Sequence, residues 1–384
     1  MPGPRSSGTL VRRAVALSAA LLAGGCGAGG AASRDVVPRG PLTIYTSLPL
    51  RGVEREHALD VVRGERRALA QAGGRAGAYG VRLVVLDDSP PGRERWAPES
   101  VAANARVAVR DRTTIAYLGE GDTAASSVSV PLLNEEGILQ VSPSDTFAGL
   151  TRPEGGLPGG PARFYPNPRV RRGFGRMVPD DLEQSRALVS LMTRLGARRV
   201  VVLRDDSLYA GSLAAQVAGD ARASGIAVVD SLRVDLDAAD LSSLFAGVRV
   251  ARPDAILFAS SAVSRTAQVW RELHRVVPAA RLLGPSALAL PSFAAALGRS
   301  ERVTYLTGPS NRLATSSGPW AGYGAAAMSA VLDAIRRARG RGRSRKAVVA
   351  AFLDGHPRRP AGGFAVYRVR GGRLSPAAAP HGHP

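Results

Sequence analysis

The feature that most constrains this chain is an alternation, sustained from residue 41 to about residue 310, of short β-branched runs with longer segments of helical period. Strands are predicted at 42–46, 81–88, 114–119 and 138–143, with helices between them at 53–72, 102–111 and 126–136. In the first helix Ala58, Val61, Val62 and Leu69 fall on one face. Repetition of this kind dictates a parallel sheet, because a parallel neighbour is reached only through a crossover, and the helices then cover both faces. The stretch "TRPEGGLPGGPARFYPNPRVRRG" (151–173) interrupts the alternation with Pro, Gly and Arg and reads as a long loop between two domains. Beyond it the alternation resumes, with helices at 181–195, 211–224, 241–250 and 264–276 and strands at 199–205, 226–231, 255–260, 281–286 and 305–310. Two helices, 324–338 and 345–353, and a hairpin within "GGFAVYRVRGGRLSP" close the pattern, and 376–384 reads as a disordered tail. A chain of 384 residues is long enough for two such cores.

The first 40 residues follow another logic. Arg5, Arg12 and Arg13 precede a short apolar run, Ala14 to Ala23, in the layout of a secretory signal. That run is too short for a membrane span, which takes about 20 residues. Gly24 and Gly25 then lead into Cys26, the sole cysteine, in "LLAGGCGAGG". A single cysteine forms no internal disulfide and has no neighbouring His or Cys for a metal site. The segment resembles a bacterial lipobox, which implies removal of residues 1–25 and lipidation of Cys26; the alternative is an ordinary signal peptide cut nearby. Residues 26–40, rich in Gly and Ala, read as a flexible tether.

The formal charge of +20 raises the question of nucleic acid. Lys346 is the only lysine, however, and the arginines are scattered through helices and loops with no aromatic residues interleaved for base stacking, so no nucleic-acid partner is expected. The basic cluster at 335–346 reads as a solvated helix end. No catalytic or metal constellation is present: the chain has no G-x-S-x-G, H-E-x-x-H or P-loop pattern, and no cofactor is called for. The glycines of "GGRAGAYG" (73–80) follow a helix and precede a strand, the reverse of a dinucleotide fingerprint. The chain is expected not to be an enzyme.

Ligands of open α/β sheets bind at the carboxyl ends of the strands. There "GEGDTAASS" places Thr123 near a helix start, where a hydroxyl and free N–H groups can hold a carboxylate or simply cap the helix. "SPSDTF" places Ser144, Asp145 and Thr146 after the neighbouring strand, so the two polar clusters can converge on one small ligand.

The runs "IYTSLPLRG", "LVVLDDS", "TIAYLGE", "VSVPLLNEEGILQVSPSDTFAGLT" and "LYAGSLA" resemble the type I periplasmic-binding-protein receptors of branched-chain amino acid ABC transporters, over roughly residues 41–290. The resemblance implies two Rossmann-like lobes joined by three crossovers and closing on ligand by hinge motion. It also implies a ligand carboxylate held by Thr123, Ser144 and Thr146 with Asp145 beside them, and Tyr209 packed over the ligand; the alternative for Tyr209 is a core tyrosine. Three departures stand out. Ser286 occupies the place of the acid that meets the ligand ammonium, small residues around Ser261 replace a second aromatic, and Ala210 replaces the glycine after the tyrosine. Asp122 and Asp145 are the acids near enough to supply the missing charge.

The expected architecture is thus a signal peptide (1–25), a tether (26–40), lobe 1 (41–165 and 310–355), lobe 2 (166–309 and 356–375) and a tail. The expected function is a lipid-anchored, extracytoplasmic binding protein that hands an amino-acid-like solute to ABC permease subunits. The alternative is a degenerate member acting as a sensor or structural envelope lipoprotein.

Overall fold

The computed structural model describes residues 35–93, 95–153, 160–310, 320–355 and 363–377. The first lobe is built from β1 (Leu42–Leu48), α1 (Arg55–Gln71), β2 (Arg75–Ala76), β3 (Tyr79–Asp87), α2 (Pro98–Arg110), β4 (Thr114–Leu118), α3 (Thr123–Glu135), β5 (Leu139–Ser142) and β6 (Phe174–Arg176). Its strands lie in the order β2-β3-β1-β4-β5-β6, parallel throughout apart from the β2–β3 pair. The second lobe takes α4 (Asp181–Arg194), β7 (Arg199–Arg204), α5 (Leu208–Ala223), β8 (Ala227–Arg233), α6 (Ser242–Ala251), β9 (Ala255–Ala259), α7 (Val263–Val276), β10 (Arg281–Gly284), α8 (Pro291–Ala296) and β11 (Thr304–Pro309). After these the chain returns to the first lobe for α9 (Ala321–Arg337) and α10 (Arg345–Asp354), and ends in β12 (Phe364–Arg370) and β13 (Arg373–Pro376). That last hairpin runs antiparallel along β11, extending the second sheet to the order β13-β12-β11-β10-β9-β7-β8.

The apolar periodicity accounts for this layering. Each residue of β1 is buried, as a central strand covered on both faces requires. On α1, Ala58, Val61, Val62 and Ala68 turn inward while Arg63, Arg66 and Arg67 stay exposed. The first core joins Leu42, Ile44, Ile115, Leu118, Leu139 and Val141 to Tyr323, Met328, Val331 and Ile335 of α9, so the late helices belong to the first lobe. The second core packs Phe258, Trp270 and Phe293, with the Trp270 and Phe293 rings edge to face at 5.3 Å. Helices α1 and α9 meet through glycines: a Cβ on Gly64 would lie 1.8 Å from the Ala321 carbonyl oxygen, and one on Gly324 2.1 Å from that of Val61. Among the described residues no helix is long and apolar enough to cross a membrane.

Three boundaries differ from the sequence reading. Residues 35–40 are held against the first lobe and do not form a free tether: Val37 is buried in the first core, Val37 N donates to Arg343 O at 2.8 Å, and the Asp35 carboxylate accepts from Lys346 N at 2.7 Å and Ser344 Oγ at 2.8 Å. Composition concealed this because the attachment runs through one acid and main-chain bonds. The first sheet also extends past residue 165, since β6 pairs with β5, and Gly173 N donates to the Asn134 side chain at 2.8 Å. This strand lies just beyond a stretch dominated by turn residues. Finally, Pro376 lies in β13 and not in a tail. Cys26 and residues 1–25, read from the sequence as a signal peptide, lie outside the described residues.

Candidate functional site

Because β1, β3, β4 and β5 are parallel, their carboxyl ends share one edge of the first sheet, as those of β7, β9 and β10 share one edge of the second. The loops leaving these edges enclose a small cavity of about 60 Å³. All seven residues singled out in the sequence line it, Thr123, Ser144, Asp145 and Thr146 from the first lobe and Tyr209, Ser261 and Ser286 from the second. Glu54, His57, Asp122, Leu290 and Trp320 complete much of the wall.

On the first lobe the helix cap is Asp122, whose Oδ1 accepts from Ala124 N at 2.8 Å, which leaves the Thr123 hydroxyl free to donate to Asp145 Oδ1 at 2.9 Å. Asp145 Oδ1 also accepts from Phe147 N at 2.9 Å. Ser144 Oγ donates to Gly121 O at 3.2 Å, and the Thr146 hydroxyl supports the Asp181 carboxylate. Burial raises the Asp145 carboxyl above the usual range, opposed by the nearby Arg176 guanidinium; burial likewise pushes Asp181 up to about 7.

On the second lobe Gln184 of α4 is a buried hub. Its Oε1 accepts from Ser286 N at 2.6 Å and from Thr307 Oγ1 at 3.1 Å, and its Nε2 donates to Asp181 Oδ1 at 3.0 Å and Tyr209 OH at 3.2 Å. The Tyr209 ring belongs to the core around α5, so its side chain serves both as core and as cavity wall. Ser261 sits beside Asp205, whose Oδ2 accepts from Ser260 Oγ at 2.7 Å. The place where the resemblance implies an acid is therefore occupied by a neutral serine held by its own backbone.

Several wall residues carried no sequence signal. Glu54 precedes α1 in "LRGVEREH", where it looks like one charge among many. Burial pushes its carboxyl up to about 7 against the pull of Arg95. Arg95, in the loop between β3 and α2, meets Glu54 at 3.5 Å, Asp122 at 3.3 Å and Ser261 Oγ at 3.2 Å. His57 stacks on Trp320 at 4.2 Å, and burial pushes its imidazole down to about 4. Behind the wall Asp88 and Glu120 share a buried position, Asp88 accepting from Ser47 Oγ at 3.3 Å and Glu120 from Tyr117 OH at 2.8 Å. Burial and the neighbouring carboxyl raise Glu120 well above its ordinary value, and burial raises Asp88 to about 7. Among the described residues no group of three or more His, Cys, Asp or Glu could hold a metal ion.

Two parallel-sheet lobes with a polar cavity between their strand ends define a cleft-type binding protein. A family model described as periplasmic binding protein matches residues 47–316, and the chain belongs to that family, in its type I form. It is accordingly a solute-binding protein and not an enzyme. Solved structures agree in fold. A leucine-binding protein from Thermotoga maritima is 20% identical with a TM-score of 0.71, covering 88% of this chain and 98% of its own. An ABC transporter substrate-binding protein from Desulfitobacterium hafniense, in complex with Leu, is 17% identical with a TM-score of 0.67, over 88% and 100%. A solute-binding protein from R. palustris, in complex with benzoate, is 16% identical with a TM-score of 0.68, over 88% and 95%. A search of curated proteins finds no match.

Proposed function

We propose that this protein is the extracytoplasmic solute receptor of an ABC transporter, tethered to the membrane through lipid on Cys26, and that it captures an amino acid or related small carboxylate between its lobes. The observation that carries this reading is the convergence of Thr123, Ser144, Asp145 and Thr146 with Tyr209, Ser261 and Ser286 on one interlobe cavity. The amino end of α3 contributes N–H groups and a favourable dipole for an anionic group. Hydroxyl protons rotate, so Thr123, Ser144 and Thr146 can exchange their protein acceptors for a ligand oxygen at modest cost. The Thermotoga and Desulfitobacterium relatives, described as leucine-binding and as bound to Leu, favour an amino acid.

Thermal denaturation against a panel of amino acids and small carboxylates tests this. A ligand at 100 times its Kd adds about 2.7 kcal/mol to the folded state. Thr146→Ala should remove that gain, judged against its own unliganded melt because the hydroxyl also supports buried Asp181 at roughly 1–3 kcal/mol; silence across the whole panel defeats the reading. The anchor is checked separately: Cys26→Ser should move the protein from the membrane fraction to the soluble one, and continued membrane association would refute lipidation.

A further inference from the structure

The cavity wall is asymmetric in charge. Among the described residues its acids are Glu54, Asp122 and Asp145, all on the first lobe, while the second lobe contributes neutral groups. No arginine or lysine is among those wall residues, and the imidazole of His57, pushed down to about 4 by burial, is neutral at physiological pH.

The three acids are not equivalent. Asp122 is committed, with Oδ1 capping α3 and Oδ2 paired with Arg95 at 3.3 Å. Asp145 accepts from Thr123 and from Phe147 N and stands beside Arg176. Glu54, with a side chain only 14% exposed, meets Arg95 Nε at 3.5 Å, outside the 2.7–3.2 Å of a good N–H···O bond. Arg95 is one guanidinium serving two carboxylates, so the pair Glu54 and Asp122 retains a surplus negative charge at the cavity edge.

We infer that Glu54 receives the positively charged group of the solute, making the ligand an ammonium-bearing molecule whose cationic end rests on the first lobe and not beside Ser286. This inference rests on the solute-capture reading above. Ser286 has no charge to offer, and its backbone N–H is already given to Gln184. The groups facing Glu54 are Arg95, Asp122 and Asp88, with His57 on its own helix. Burial holds the Glu54 carboxyl near pH 7, so binding an ammonium draws it into the ionised form, and affinity should fall as pH drops below about 7.

The test compares three probe series by calorimetry: the common L-amino acids, the same carboxylates lacking the amine, and the same amines lacking the carboxylate. L-Amino acids should bind most tightly, with roughly tenfold loss per pH unit below 7, as expected for one required ionisation. Glu54→Gln should weaken the best amino acid tenfold or more without weakening its amine-free counterpart, and Glu54→Asp, which keeps the charge, should recover part of the loss. Melting of the unliganded variants guards against misfolding. An amino acid whose affinity depends on Thr146 but is unmoved in Glu54→Gln overturns the Glu54 assignment and leaves solute capture standing. Binding by none of the three series overturns both.

Discussion

Arg95 Nη2 lies 3.3 Å from Asp122 Oδ2 in its own lobe and 3.2 Å from Ser261 Oγ in the other, so one guanidinium ties an acid of the first lobe to a hydroxyl of the second. The link crosses the cleft at the cavity's margin. With Arg95 about a third exposed, its worth is at most ~1 kcal/mol, which still shifts a closure equilibrium about fivefold. Arg95→Ala should therefore populate a more open form, visible as an increased radius of gyration in solution scattering. Scattering identical to wild type would show that the contact does not hold the lobes together.

Gln184 joins four partners that otherwise have no relation in sequence: Asp181, Tyr209, Ser286 and Thr307. Truncation to Ala leaves several buried polar groups unmatched, at roughly 1–3 kcal/mol each before relaxation. Gln184→Ala is expected to cost about 3 kcal/mol in urea unfolding, and a loss below ~1 kcal/mol would mean that water repairs the network.

Glu65 predicts a pH dependence of stability. It is fully buried on α1, accepts from Thr46 Oγ1 at 3.1 Å, and burial pushes its carboxyl up to about 8. The folded state therefore holds a proton that the unfolded chain releases near its ordinary value, so this residue lowers stability as pH rises from about 4.5 to about 8. Glu65→Gln should flatten that slope, gaining on wild type by ~3 kcal/mol more at pH 8 than at pH 5. Parallel stability curves for the two proteins would contradict the burial assignment.

Gly324→Ala probes the α1–α9 crossing. The added methyl would meet the Val61 backbone at 2.1 Å, and backbone on both helices must move to relieve it. A destabilisation of about 3 kcal/mol is expected from such overpacking. Gly219→Ala, within helix α5 of the second lobe, where an added Cβ meets nothing within 4 Å, should be neutral or mildly stabilising. Similar melting temperatures for the two variants would count against the close helix packing.

The strands and helices were legible because each carries its own pattern: β1 is a short run rich in β-branched residues and α1 an amphipathic one, and nothing distant is needed to recognise either. Thr123 and Ser144 to Thr146 were legible for the same reason, as polar clusters at predicted strand ends. Glu54, Arg95 and Trp320 were not, because a buried charge in a loop has the same letter as a solvated one. Their roles come from what stands opposite them, 166 residues away in the Arg95–Ser261 contact and further still in the His57–Trp320 stack. Residues 35–40 were misread for a related reason: the bonds fixing them reach across more than 300 residues to 343–346.

That distant attachment has a mechanical meaning. Arg345, next to the residues that hold Asp35, donates to Thr114 O, which opens β4, and to Glu136 O, which precedes β5, so Asp35 is fastened at the pole of the first lobe opposite the strand ends that form the cleft. The Asp35–Ser344–Lys346 clamp and the cavity thus load opposite ends of the same strands, so loosening the clamp by Asp35→Ala should lower stability without touching a wall residue of the cavity.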